Sequence, residues 1–76
     1  MKPKFEISNH LKRHRLLSGV MTQQDLADRA GVTRQTILSI EKGRYNPTIG
    51  LALRLAAVFQ VRVEELFMLT EEDADG

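Results

Sequence analysis

Cysteine is absent from the 76 residues, so no disulfide and no thiolate metal site can staple the fold. Tryptophan is absent as well, and three Phe and one Tyr are the only aromatics. Leu, Ala, Val and Ile carry the apolar content instead, a composition that suits a compact helical bundle. No apolar run approaches the ~20 residues that span a bilayer, and no signal peptide opens the chain. A cytoplasmic protein with no membrane partner is expected. A chain this short buries a modest share of its surface and is marginally stable alone. Its cohesion must come from helix packing, with or without a partner chain. Enzyme chemistry is not expected either. There is no Gly-rich phosphate loop, the acids are scattered or gathered in a tail, and neither Ser18 nor Ser39 stands at a nucleophile–base spacing from a histidine. The chain has little room for a pocket, so neither a cofactor nor a small-molecule ligand is expected.

The formal net charge of +1 hides an asymmetry. Residues 1–46 hold nine Lys/Arg against four Asp/Glu, and residues 47–76 hold two against six. The basic half can face a polyanion while the acidic half points away. The alternative is an ordinary solvated surface with an acidic tail.

Punctuation divides the chain into helices. Residues 1–7 form an N-terminal extension in which Pro3 excludes an early helix. Ser8 is a candidate N-cap for a first helix over 8–18, which Gly19 ends. Thr22-Gln23-Gln24-Asp25 has the capping-box form, and Leu26, Ala27 and Ala30 follow on one helical side. Gly31 can take positive φ and close that helix in a tight turn. Thr33 caps a third helix over 34–42, with Ile37 and Ile40 inward, and Gly43 stops it. Thr48 caps a fourth helix, where Ala52, Leu55, Ala56 and Phe59 recur at i, i+3, i+4, i+7. Residues 63–69 read as a short fifth helix, and 70–76 as an acidic, disordered tail. No strand run stands out. The expected fold class is all-α, a compact five-helix bundle occupying residues 8–69.

The unit from Thr22 to Gly43, two short capped helices joined by a glycine turn, has the form of a helix-turn-helix. The first helix braces the second, whose outer face is then free to enter a major groove. On that outer face stand Arg34, Gln35, Leu38, Ser39 and Lys42. Arg can grip the O6/N7 edge of guanine with two hydrogen bonds, and Gln the N6/N7 edge of adenine. Ser39 can reach a base or a phosphate. Leu38 has two readings: contact with a thymine methyl or sugar, or packing against the loop at Tyr45.

From Asn9 to about Leu69 the chain resembles the Cro/repressor (Xre-type) helix-turn-helix family. The residues that carry the likeness are Arg15-x-x-x-Gly19, Thr22-Gln23-x-x-Leu26-Ala27, Gly31-Val32-Thr33-Arg34-Gln35-Thr36-Ile37, Ile40-Glu41-x-Gly43 and Asn46-Pro47. Jointly they are specific, and they cover about four fifths of the chain. The resemblance implies a bundle of the phage-repressor DNA-binding type, of the short stand-alone kind, that regulates transcription. It implies base contacts from Arg34, Gln35 and Ser39, beside which Leu38 stands as a further candidate with its two readings open. It implies DNA-backbone contacts from Gln23, Thr33, Lys42, Arg44 and Asn46, and a structural ion pair between Arg15 and Glu41. Three departures touch local packing: Val20-Met21 lengthens a turn, His14 stands where the family has Leu, and Gln60 replaces the common Gly after the fourth helix.

One helix-turn-helix reads only a few base pairs, so a homodimer on a palindromic operator is expected, with half-sites about 34 Å apart. Phe67, Met68 and Leu69 follow one another with too few inward positions to hide all three. They are either the dimer surface or the cap of the monomer's own core. Glu6, His10 and His14 at i, i+4, i+8 would share a face and hold a metal only if the first helix began early; otherwise His14 packs and His10 is exposed, and no metal is expected. The rival function is an antitoxin-like or bridging module that uses the same fold to hold another protein.

Overall fold

The computed structural model describes residues 4–19 and 21–72. In chain order the elements are β1 (Lys4–Asn9), α1 (Leu11–Leu17), α2 (Gln23–Ala30), α3 (Arg34–Glu41), α4 (Ile49–Phe59), α5 (Val63–Leu66) and β2 (Phe67–Glu72). The effect of Pro3, the Val20 part of the lengthened turn and the Asp73–Gly76 end of the acidic tail lie outside the described residues.

Each long helix starts on a threonine because its hydroxyl satisfies a first-turn N–H that has no partner within the helix. Thr22 Oγ1 accepts from the Asp25 N–H at 3.0 Å while Asp25 Oδ2 accepts from the Thr22 N–H at 3.1 Å, a complete capping box. Thr33 accepts from the Thr36 N–H at 3.3 Å and Thr48 from the Leu51 N–H at 3.2 Å. Gly31 closes α2 at φ 74°, where an L side chain would strain the turn. One fully buried side chain or more from every helix meets in the core: Leu11, Leu26, Ile37, Ile40, Leu55 and Leu66.

The end of α4 shows what the missing glycine does. Gln60 occupies the C-cap at φ 55°, ψ 43°, a left-handed conformation that costs an L residue about 1–2 kcal/mol. Its side chain is exposed. Gln60→Gly should relieve that cost, less the greater freedom of Gly in the unfolded chain, for a net gain of roughly 0.5–1 kcal/mol. Thermal unfolding should move up by about 2–8 °C for a domain of this size; an unchanged or lower midpoint would contradict the strain.

The fold is not all-α. β1 and β2 pair antiparallel, with Lys4 opposite Glu72, Ile7 opposite Leu69 and Asn9 opposite Phe67. Residues 67–69 are therefore strand rather than the end of the fifth helix, which stops at Leu66. Likewise α1 starts at Leu11, and Ser8 lies in β1 opposite Met68 instead of capping a helix. The physical reason is pairing. Lys4-Phe5-Glu6-Ile7-Ser8 alternates polar and apolar residues, the period of a strand, but its hydrogen-bonding partner lies at the other end of the chain. The N-cap of α1 is His10, which makes no side-chain cap bond; Asn9, one residue earlier, accepts from the Leu11 N–H through Oδ1 at 3.1 Å. Its Nδ2 donates to the Ile40 carbonyl at 2.9 Å, which ties the sheet to the end of α3.

Candidate nucleic-acid interface

α3 is held by Ile37 and Ile40, both fully buried, and everything else it carries is graded outward. Arg34 and Gln35 at its start are exposed; Leu38 and Ser39 are half-buried. The helix closes where the Gly43 N–H donates to the Ile40 carbonyl and the Arg44 N–H to the Ser39 carbonyl, both at 2.9 Å. Lys42, Arg44 and Asn46 then stand exposed on the loop that follows. Arg34, Lys42 and Arg44 make no ion pair with any described residue; Arg15 and Glu41 form the one ion pair found there.

That pair lies beneath the site. Arg15 Nε donates to Glu41 Oε2 at 2.8 Å and Nη2 to Oε1 at 3.2 Å, a two-point grip that fixes α1 against the end of α3. The third guanidinium nitrogen, Nη1, donates to the Met21 carbonyl at 3.0 Å, which holds the turn before α2. Gln23 joins the same cluster, its Nε2 donating to Glu41 Oε1 at 3.1 Å. The amide at the start of α2 is therefore placed by the same carboxylate that anchors α3. Thr33 keeps its hydroxyl on the α3 cap, within 3.1 Å of Thr36 Oγ1.

The structure brings these residues into two shallow clefts. One, at the start of α2, is walled by Gly19, Met21, Gln23, Gln24 and Arg34. The other is walled by Gln35, Thr36, Ser39 and Tyr45. The Tyr45 ring, 41% exposed, thus borders the outer face of α3, and Leu38 is not among that cleft's walls. Gln24 and Thr36 share these clefts with Gln23 and Gln35, next to which they stand in the chain, and are not among the residues the sequence singles out. Hydrogen bonds from the Thr22 N–H and hydroxyl lower the Asp25 carboxyl from its ordinary value. An ionised acid in the first turn of α2 complements the helix dipole.

The histidines do not form a ligand set along one helix. Glu6 is in β1 and His10 precedes α1, so the i, i+4, i+8 spacing crosses a strand–helix boundary. His10 is exposed. His14 is half-buried, its ring 5.8 Å from that of Phe59. Among the described residues no group of three His, Cys, Asp or Glu is placed to hold a metal ion, and no helix is long and apolar enough to cross a membrane.

Two capped helices, a left-handed glycine between them and an outward polar face on the second meet the geometric definition of the motif. The sequence model described as Helix-turn-helix matches residues 11–66. The chain belongs to the Xre-type helix-turn-helix family. This is a family of DNA-binding transcriptional regulators, and the relatives are described as HTH-type transcriptional regulators. An uncharacterised HTH-type transcriptional regulator of Methanocaldococcus jannaschii is 43% identical over 67 residues, 88% of this chain and 100% of the relative. Another, of Methanothermobacter thermautotrophicus, is 48% identical over 65 residues, 84% of this chain and 93% of the relative. The Bacillus subtilis regulator YgzD is 40% identical over 67 residues, covering 88% and 100%. The family match starts after β1 and ends before β2, so this helix-turn-helix chain carries its sheet outside the matched residues.

Proposed function

We propose that the chain is a sequence-specific regulator that binds double-stranded DNA as a homodimer, each copy inserting α3 into the major groove of one half of a palindromic operator. The observation that carries this reading is the outer face of α3: Arg34, Gln35 and Ser39 stand outward, and Arg34, Lys42 and Arg44 have no acidic partner among the described residues. Arg34 and Gln35 occupy the first positions of the helix, those that reach base edges when a recognition helix lies in the groove. Ser39 reads one turn further along. Leu38, half-buried between them, meets a thymine methyl or the sugar.

Lys42, Arg44 and Asn46 grip the phosphates on one side of the groove. Gln23 and Thr33 grip them on the other, at the N-termini of α2 and α3, where backbone N–H groups and the helix dipole favour an anion. The Gln23 amide has one N–H engaged by Glu41 and keeps a second for a phosphate oxygen. Arg15 and Glu41 brace and do not read. Phe67 and Leu69 belong with the surface between the two copies; Met68, between them on β2, lies on the other face of the sheet. Nothing but DNA and a second copy is required: no cofactor, metal or small ligand enters the reading.

Selection of bound duplexes from a random library at near-physiological salt tests it. The expected product is an inverted repeat with half-site centres one helical turn apart, about 34 Å. Bulk, salt-sensitive binding with no sequence enriched would overturn the reading and favour a module that holds another protein.

A further inference from the structure

α4 has a single charge, Arg54, in eleven residues. Its inner side, Leu51, Ala52, Leu55 and Ala56, is buried in the core. Its outer side is apolar too, at helical spacing: Ile49 is 81% exposed, Leu53 is 55% exposed, and Ala57 follows, also exposed. Apart from the exposed Arg54 the helix is apolar on every side, the pattern of an interior helix, yet it lies at the surface of a single copy. Gly50, beside Ile49, has nothing within 4 Å of where a Cβ would stand, which leaves room for another backbone to approach.

The apolar field extends beyond the helix. Ile49 shares a groove with Ile7, Pro47, Ala52 and Phe67. Leu69, 68% exposed, stands opposite Ile7 on the sheet. β1, the loop at Pro47, α4 and β2 thus contribute to one exposed apolar surface.

We propose that this surface is the seam of the homodimer, with α4 packed against α4 of a second copy across a two-fold axis. The inference rests on the dimer reading above and deepens it. A second copy is the occupant for three reasons. A two-fold seam lays each patch on itself, so its centre must be free of charge; among the described residues Ile7, Ile49, Leu53 and Leu69 form an uncharged centre, and Glu6, in a cleft with Ile7 and Leu69, and Arg54, next to Leu53 on α4, are opposite in sign. The exposed parts of Ile7, Ile49, Leu53 and Leu69 amount to roughly half of the ~800 Å² that one partner contributes to a standard interface, enough for its apolar centre. Finally, the seam is continuous with the DNA-backbone loop: Asn46 and Gly43 share a cleft with Ile7 and Leu69. An axis here brings the two loops together and leaves one α3 on each side of it. Of the three residues singled out in the sequence, Leu69 lies in the seam, Phe67 lines its groove, and Met68 is on the other face of β2, since successive strand residues alternate.

Sedimentation equilibrium of the wild type, Ile49→Glu and Leu53→Glu decides the matter, with circular dichroism as the check on folding. Both positions are exposed, and an acid in the first turn of α4 suits the helix dipole, so Ile49→Glu leaves the helix intact. The wild type is expected at twice the chain mass and both variants at one chain mass. The variants' affinity for the inverted repeat should drop about tenfold or more, the effect of one interface anchor, while binding to a single half-site is unchanged. A dimeric wild type with both variants still dimeric would overturn the α4 seam and leave the homodimer standing. A wild type that is monomeric at every concentration and binds DNA as one copy would overturn the homodimer itself. If Leu53→Glu does not fold, Leu53→Ser is read by the same masses and the same outcomes apply.

Discussion

Glu41→Ala is expected to lower folding stability by about 3–5 kcal/mol, because it strands the Arg15 guanidinium in a buried position. Arg15 is only 8% exposed, and three of its nitrogens are spoken for: two by Glu41 and one by the Met21 carbonyl. Removing the carboxylate leaves a largely buried charge with no counter-charge to replace it. It also frees the Gln23 amide and removes the link that fixes α1 and the start of α2 to the end of α3. For a domain this small the thermal midpoint should fall by roughly 12–40 °C. The paired replacement, Arg15→Met with Glu41→Leu, removes both charges at once and should cost far less. A double-mutant cycle by thermal or urea unfolding measures the coupling. A loss under about 1 kcal/mol for Glu41→Ala would place the pair with surface ion pairs, which contribute little.

Arg34→Ala should weaken binding by about 1–3 kcal/mol per half-site, roughly 5- to 150-fold for each, and relax preference at one base pair of each half-site. Arg34 is exposed at the first position of α3, away from the core, so its removal leaves folding almost unchanged. It is also without an acidic partner among the described residues, so its donors are free for a base. Lys42→Ala supplies the contrast. Lys42 stands at the other end of α3, and its loss should weaken all sequences alike and flatten the log–log salt slope by about one unit per copy, about two for the dimer. Binding titrations against the operator and its single-base variants, at several salt concentrations, separate the two. A uniform loss for Arg34→Ala would make it a phosphate contact instead of a reader.

The helix-turn-helix was legible because its signals are local. Thr22 with Asp25, Gly31, and Thr33 before Ile37 and Ile40 each act within a few residues through caps, a left-handed turn and helical periodicity. The polar side of α3 follows from the same periodicity. Gln60 was legible as a departure, and the structure gives its consequence: the chain adopts the glycine conformation without the glycine. By sequence, residues 4–7 read as an extension, Ser8 and Asn9 as the start of the first helix and 67–69 as the end of the fifth, because a strand is defined by a partner, and each segment's partner is some sixty residues away. The single charge of α4 was visible, but an apolar stripe alone does not say which of its two sides faces inward.

The sequence by itself determined the helical core, the caps and turn of the motif, and which side chains α3 turns outward, since these depend on neighbours three or four residues apart. Only the tertiary structure decided that the chain's two ends close into a sheet, that Asn9 anchors that sheet to Ile40, and that one carboxylate, Glu41, holds Arg15 and Gln23 together. It also decided that α4 exposes the apolar side left over once the core is filled. These features join residues distant along the chain, and the energy that selects them, burial and hydrogen-bond pairing, exists only after the chain has folded.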